Sequence, residues 1–565
     1  MRFLPWPLPL LLVGLYACSP PSDQAPFDLV FQNGHIYTVN PEQPEAEVVG
    51  VVGHEIAFVG SAAEAAARMG SSTKVVDLDG QTLIPGFVES HGHLLNLGRQ
   101  QQRLQLAKAA NFEAVAEQVA EAAAHSQPGE WILGRGWHQD KWDVQPAVKV
   151  DGFPTHDLLS EAAPDNPVLL VHASGHAAIA NAKAMEIAGI EANQIFGEGG
   201  EIILDEAGNP TGLFVENAES LIADMIPAET RESREEALQL AIEASHEAGV
   251  TSFHDAGAAD ETLDILKDWE ESGELSLRVY TMLMGSDTTL LKDWYEAGPK
   301  IDPTGYLTIR AIKLWADGAL GSRGAWLLSP YTDMPGTSGM ATLPMKYVRT
   351  VSDDALEHGF QLCVHAIGDR ANREVLDQYE AAFAAHPAQD HRFRIEHAQH
   401  LDQADIPRFA EMGVIASVQG IHMASDRPWA IRRLGPKRII AGAYVWQKLI
   451  QSGAVVINGT DVPVEPISPI ACFYASVSRK TLLQQPDEGY EADQRMTREQ
   501  ALKSYTLDAA FGAFEEAYKG SLEVGKVADF TVLSQDIMQI EESAILDTEV
   551  MMTVVGGDIV FEAEP

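Results

Sequence analysis

The chain has 565 residues, with 39 Lys and Arg against 82 Asp and Glu, which leaves a net charge of −43 and a pI near 4.6. A phosphate backbone repels such a surface and no basic stripe interrupts it, so nucleic acid is excluded as a partner. Hydrophobic residues at 45% and charged residues at 21% exclude a disordered chain, and three cysteines, Cys18, Cys363 and Cys472, are too few for a disulfide framework. The length suits about three domains or one large barrel with additions.

The amino terminus pairs Arg2 with an apolar run from Leu8 to Val13, too short to span a bilayer as a helix, and reads as a secretion signal over 1–18. Its end, Leu15-Tyr16-Ala17-Cys18, resembles the lipobox of bacterial lipoproteins, although Tyr16 replaces the small residue usual there. That resemblance implies lipidation at Cys18. The polar, Pro-rich stretch over 19–26 is a tether. Because no later apolar run reaches the length of a span, the expectation is an exported domain touching a membrane only through its lipid, facing the periplasm or the cell surface.

Short strands with turn signals follow: Asp28–Phe31, an Asn33-Gly34 turn, His35–Val39, Val48–Val52, Glu55–Val59 and Lys74–Leu78. The far end repeats the pattern at Ala528–Leu533, Val550–Val554 and Asp558–Phe561. Neither piece makes a comfortable domain alone, so one small β-sandwich is expected from 27–82 and 515–565 together.

Between them, over 83–514, apolar runs of strand length alternate with helical patterns. The strands are expected at Thr82–Val88, Gly249–His254, Arg278–Met284, Thr308–Leu314, Gln361–His365, Arg392–His397, Val414–Val418 and Ala454–Gly459. One intervening helix, Arg231–Glu247, sets Ala237, Leu238, Ala241 and Ala244 on one face. Eight parallel strands alternating with helices define an α/β fold, a (β/α)₈ TIM-like barrel. The chain from His93 to Val250 far exceeds one βα unit, so roughly 100–230 must be an insertion after the first strand.

The chemistry lies at the strand ends. His91 and His93 stand at i and i+2, which aims both imidazoles to one side of an extended chain. His365 ends the fifth strand, His397 the sixth, and Asp461 follows the eighth. Sites in such barrels gather at the carboxyl ends of the strands, and four histidines with a carboxylate suit zinc or a similar divalent metal. Lys313 sets an ammonium in the apolar strand Ile312-Lys313-Leu314. Burial lowers a lysine pKa, and the neutral amine can take up carbon dioxide as a carbamate. The alternatives are pairing with an acid such as Asp317 or reaching outward to solvent.

The motifs Pro85-Gly86-Phe87-Val88-Glu89-Ser90-His91-Gly92-His93, Gly249–Asp255, Ile312–Gly318, His365–Ala371, Arg394–Gln399, Gly459–Val464 and Gly520–Asp529 together resemble the metal-dependent amidohydrolase superfamily, in its YtcJ-like branch, from about residue 27 to 560. The resemblance implies that His91, His93, His365 and His397 are metal ligands, Asp461 a ligand and proton shuttle, and Lys313 a candidate carbamylated bridge, with one or two divalent ions, zinc foremost, in the site. Glu89 stands where many relatives carry Asp and is expected to act at most behind the ligands.

For an acyl-transfer hydrolysis, His254 or a histidine of the insertion is expected to stabilise the oxyanion. His176, in Gly175-His176-Ala177-Ala178, resembles a family segment and is read as substrate-binding, while His172 is read as structural. Arg323 is expected either to clamp a substrate carboxylate or to form a plain surface pair, and Trp137, His138 and Trp142 are read chiefly as core. His422 and Asp426 follow the seventh strand near the mouth. The expected activity is hydrolysis of carbon–nitrogen bonds other than peptide bonds, in a small-molecule amide, N-acyl or cyclic amide substrate. A mononuclear deaminase and a lipid-anchored protein that binds without turnover are the alternatives, and a homo-oligomer stays open.

Overall fold

The computed structural model describes residues 25–564 except 175, 198, 388 and 389. The leader over 1–18, with Cys18, lies outside the described residues. Among these, no helix is long and apolar enough to cross a membrane.

Eight parallel strands form the central sheet in chain order: Phe87–Gly92, Val250–Ala258, Arg278–Met284, Leu307–Trp315, Gln361–Ala366, Arg394–His397, Ile415–Val418 and Val456–Asn458. Their residues are almost wholly buried, as in a parallel sheet covered by helices. The circle closes through loop backbone: Asp461 N donates to His91 O and His93 N donates to Val462 O, both at 2.8 Å. The eighth strand's exit is thereby fixed to the first.

The run expected as one strand over Thr82–Val88 is two. Thr82–Pro85 joins the terminal sheet and Phe87–Gly92 starts the barrel, with Gly86 between them. A Cβ on Gly86 would lie 2.2 Å from Thr251 Oγ1, so close approach of the second barrel strand requires glycine there. The helix Arg231–Glu247 runs as expected, capped by Thr230 and burying Ala237, Leu238, Ala241 and Ile242, with Ala244 at the rim.

Both terminal segments contribute to one eight-stranded sheet, joined where Phe530–Leu533 pairs antiparallel with Thr82–Pro85. Asn33-Gly34 is not a hairpin turn. It is an irregularity inside the single strand Leu29–Tyr37, where the register against Glu45–Val52 shifts between Gln32 and Ile36. A buried ion pair ties this sheet to the barrel, Arg278 Nε lying 2.7 Å from Asp529 Oδ2.

After the helix Leu94–Gln101, a six-stranded sheet spans Leu104 to Glu216, in the region of the expected insertion. Alternate residues of Val168–His172 feed two separate cores: Val168 and Leu170 pack with Trp137 and Trp142, and Leu169 packs with Ala178 and Phe214.

Candidate metal centre

The carboxyl ends of the barrel strands surround a cavity of about 440 Å³ whose wall includes His91, His93, Lys313, His365, His397 and Asp461. Ligand atoms of His91, His397 and Asp461 lie within 4.8 Å of one another. His93 Nε2 is 3.3 Å and His91 Nε2 3.7 Å from Asp461 Oδ1, and the His365 and His397 rings are 4.4 Å apart. All six side chains line this one mouth, and His91, His397 and Asp461 come close enough to share one ion.

Hydrogen bonds fix which imidazole nitrogens face inward. His91 Nδ1 lies 2.5 Å from Glu396 Oε2, and a carboxylate only accepts, so Nδ1 carries the proton and Nε2 keeps its lone pair. Lys313 Nζ approaches that Nε2 at 3.1 Å. His397 Nδ1 likewise lies 2.7 Å from Gln419 Oε1, which frees its Nε2. His422 Nε2 is buried without a protein hydrogen-bond partner, while His365 Nε2 lies 3.5 Å from Asp317 Oδ1. The free Nε2 atoms of His91 and His397 beside Asp461, with the orphaned Nε2 of His422 near by, are the donor set a divalent ion takes, so these residues fit a metal.

His397 and Asp461 have φ of +76° and +59°, a region unfavourable for residues with a Cβ. Both are over-determined by their surroundings, the usual condition for strain at a functional position. Glu89 accepts from Thr460 N at 2.7 Å, from Thr460 Oγ1 at 2.8 Å and from His91 N at 3.2 Å. It therefore sits behind the ligands and joins the first strand to the loop bearing Asp461. Burial pushes its carboxyl up to about 8 despite these bonds.

The remaining electrostatics follow from burial set against neighbours. Burial alone would raise the Asp461 carboxyl, but the hydrogen bond from His93 and the His91, His397 and His422 imidazoles hold it well below the carboxylate range. Burial would likewise raise Glu396, yet His91 brings it to about 2. Burial lowers the Lys313 ammonium more than Glu396 and Asp461 raise it, and lowers His365 to about 3. Lys313 neither reaches solvent nor pairs with Asp317. Asp317 instead accepts from the backbone N–H groups of Trp326, Ile367 and Gly368 and holds the loops after the fourth and fifth strands.

Three expected substrate contacts lie elsewhere. His254 is fully buried against Arg394, 3.2 Å away, and Tyr280. Its strand runs on to Ala258, and at about 3.3 Å per residue His254 sits well below the mouth. Arg323 is taken by Asp333, and His176 is exposed and 3.1 Å from Glu216; neither lines the cavity. Trp137 and Trp142 are core of the insertion sheet. His422 and Asp426 do line the cavity, with Trp315, Trp429, Gln399 and Glu465, which the sequence did not single out.

A barrel of parallel strands with histidines and an aspartate converging at its carboxyl-terminal mouth defines a metal-dependent α/β hydrolase. An amidohydrolase family model matches residues 74–561. The chain is 32% identical to a putative amidohydrolase, YtcJ, of Bacillus subtilis over 94% of its own length and 99% of that protein's. It is 26% identical to an N-substituted formamide deformylase of Arthrobacter pascens, covering 95% and 98% of the two chains. The crystal structure of an uncharacterized metal-dependent hydrolase from Pyrococcus horikoshii superposes with a TM-score of 0.73 at 27% identity, over 91% of this chain and 99% of that one. This chain belongs to the amidohydrolase family, in its YtcJ-like branch.

Proposed function

We propose that the protein hydrolyses carbon–nitrogen bonds other than peptide bonds, in small amide, N-acyl or cyclic amide substrates, with zinc or a similar divalent ion held by His91, His93, His365, His397 and Asp461. The supporting observation is the convergence of these donors around an Asp461 kept ionised by its histidine neighbours. The similarity to a deformylase of N-substituted formamides points the same way. A divalent ion bound there lowers the pKa of water toward neutrality and polarises the carbonyl under attack. Asp461 accepts the proton released as water attacks and returns it to the leaving nitrogen. Glu396 and Gln419 keep His91 and His397 in the tautomers that present Nε2.

A cationic Lys313 beside His91 Nε2 would oppose a metal there. Its buried amine favours the neutral form, which adds to carbon dioxide with formation of an N–C bond and release of one proton. The resulting carboxylate replaces repulsion by attraction and can bridge two ions. The mononuclear deaminase is the second reading, favoured by the compactness of the His91, His397 and Asp461 trio. Metal analysis with intact-mass measurement and an amide screen separates the two. Two zinc equivalents, a carbon dioxide adduct on Lys313 and amide turnover support the first; one equivalent, unmodified Lys313 and released ammonia support the second. Absence of turnover on any amide rejects the hydrolase reading.

The division into a leader over 1–18, a linker over 19–26, a terminal β-sandwich and a barrel with an insertion belongs to the same proposal. So does export as a lipoprotein anchored through Cys18. Palmitate labelling that disappears in Cys18→Ala supports the anchor, and labelling that persists rejects it.

A further inference from the structure

Beyond the clustered ligands the cavity wall turns acidic and aromatic. His422, Asp426 and Trp429 stand at i, i+4 and i+7 of the helix Gly420–Leu434 and line the cavity together, with Glu465 from the loop after Asp461. Asp426 Oδ2 accepts from Gln399 Nε2 at 3.0 Å and from Tyr444 OH at 3.2 Å, while among the described residues no donor reaches Oδ1. Glu465 Oε1 accepts from Ser425 Oγ at 2.5 Å, and Oε2 has no donor among the described residues. All these donors are neutral. Among the described residues neither carboxylate has a Lys or Arg partner, and the one basic side chain on the wall besides the histidines, Lys313, belongs to the ligand cluster. His422 Nε2, nine-tenths buried and without a protein hydrogen-bond partner, stands 3.8 Å from Asp461 Oδ2 and so joins this wall to the ligands.

Asp426 and Glu465 are half-buried on one wall, and each keeps one oxygen open to the cavity, where a cation would meet two like charges. Burial raises both carboxyls against the opposing pull of their hydrogen bonds and of His422, and Asp426 adds a smaller rise at Glu465. A tryptophan ring attracts the same charge, and Trp429 already has one cation near it, with Arg433 Cζ 5.8 Å from its centroid. Arg323, the expected carboxylate clamp, is committed to Asp333, and a chain of net charge −43 repels anions and concentrates cations. We propose that Asp426, Glu465 and the Trp429 ring form a subsite for a cationic substituent, so that the substrate is a small N-acyl amine bearing a second, protonated nitrogen. This rests on the hydrolase reading above.

Three matched amides test it on the metal-loaded enzyme: N-(aminobutyl)acetamide, N-pentylacetamide and N-(carboxybutyl)acetamide. The expected order of kcat/KM is ammonium, then pentyl, then carboxylate, and Asp426→Asn or Glu465→Gln lowers the ammonium-over-pentyl ratio about tenfold, chiefly through KM. Equal or reversed preference overturns the subsite. So does a variant that slows both amides in proportion, or one that loses an equivalent of metal, since the acids would then serve the chemistry or the ion. Calorimetric binding of pentylammonium against pentanol decides the subsite without turnover. If no amide is cleaved the hydrolase reading fails, while preferential binding of pentylammonium sustains the subsite and equal binding overturns it.

Discussion

Glu396 Oε2 lies 2.5 Å from Nδ1 of His91, and both side chains are fully buried. This contact orients a ligand from behind and settles its tautomer. Glu396→Gln removes the charge that favours the Nδ1 proton and is expected to weaken metal affinity about 10- to 100-fold while the fold persists. Competition with a zinc chelator measures it, and unchanged affinity would remove the role.

Asp461 is placed to move protons as well as to bind metal. Asp461→Asn keeps an oxygen donor at the site but cannot accept the proton. Metal content should stay near that of the wild type while turnover falls about a hundred- to ten-thousandfold. Single-turnover rates alongside elemental analysis test this, and near-normal turnover would clear Asp461 of the shuttle role.

The terminal sheet and the barrel share the buried pair Arg278–Asp529, bidentate at 2.7 and 3.1 Å. Asp529→Asn leaves a guanidinium buried with its compensating charge gone, and an expected loss of about 3–5 kcal/mol should appear as a lower denaturant midpoint. A double variant that replaces both partners with apolar residues should recover much of the loss, because the orphaned charge, rather than the absent attraction, is the larger cost.

His246 closes the helix Arg231–Glu247 and is 5% exposed, with Nε2 3.2 Å from Ser276 O. Burial lowers its pKa to about 4 from the ordinary value near 6.5. The unfolded chain therefore binds a proton that the native state refuses between these values. Its contribution is intact above pH about 6.5 and is lost as pH falls toward about 4, by up to about 3 kcal/mol. Stability curves of the wild type and His246→Gln across this range should converge at the acid end, and parallel curves would contradict the assignment.

The strand positions from Arg278 to Val418 were readable because a buried parallel strand must be a short apolar run, whatever its neighbours do. The histidines and Asp461 were readable for a related reason: in a parallel barrel the end of each strand is a fixed place, so a residue's distance along its strand is also its height in the molecule. Where the strand length was misjudged the inference failed. His254 was taken as a strand end, but four more residues of its strand lie above it and carry it into the barrel interior.

Glu396 was missed by the same rule that found its neighbour. Period-two alternation sends Glu396 and His397 to opposite faces, so His397 at the mouth implied Glu396 away from it. The left-handed backbone at His397 ends that alternation, and both side chains reach His91. The acidic wall was hidden for another reason. Asp426 was expected near the mouth, but Glu465 is an ordinary surface letter until tertiary packing sets the two in one cavity with neutral hydrogen-bond donors and no Lys or Arg partner.

The amino-acid sequence by itself determined the strand-and-helix order and the donors that crown it, because both depend on local periodicity and on position along a strand. Only the tertiary structure decided which groups stand behind those donors, which arginine is already engaged and which carboxylates remain unpaired, because these depend on distances between segments that no local pattern encodes.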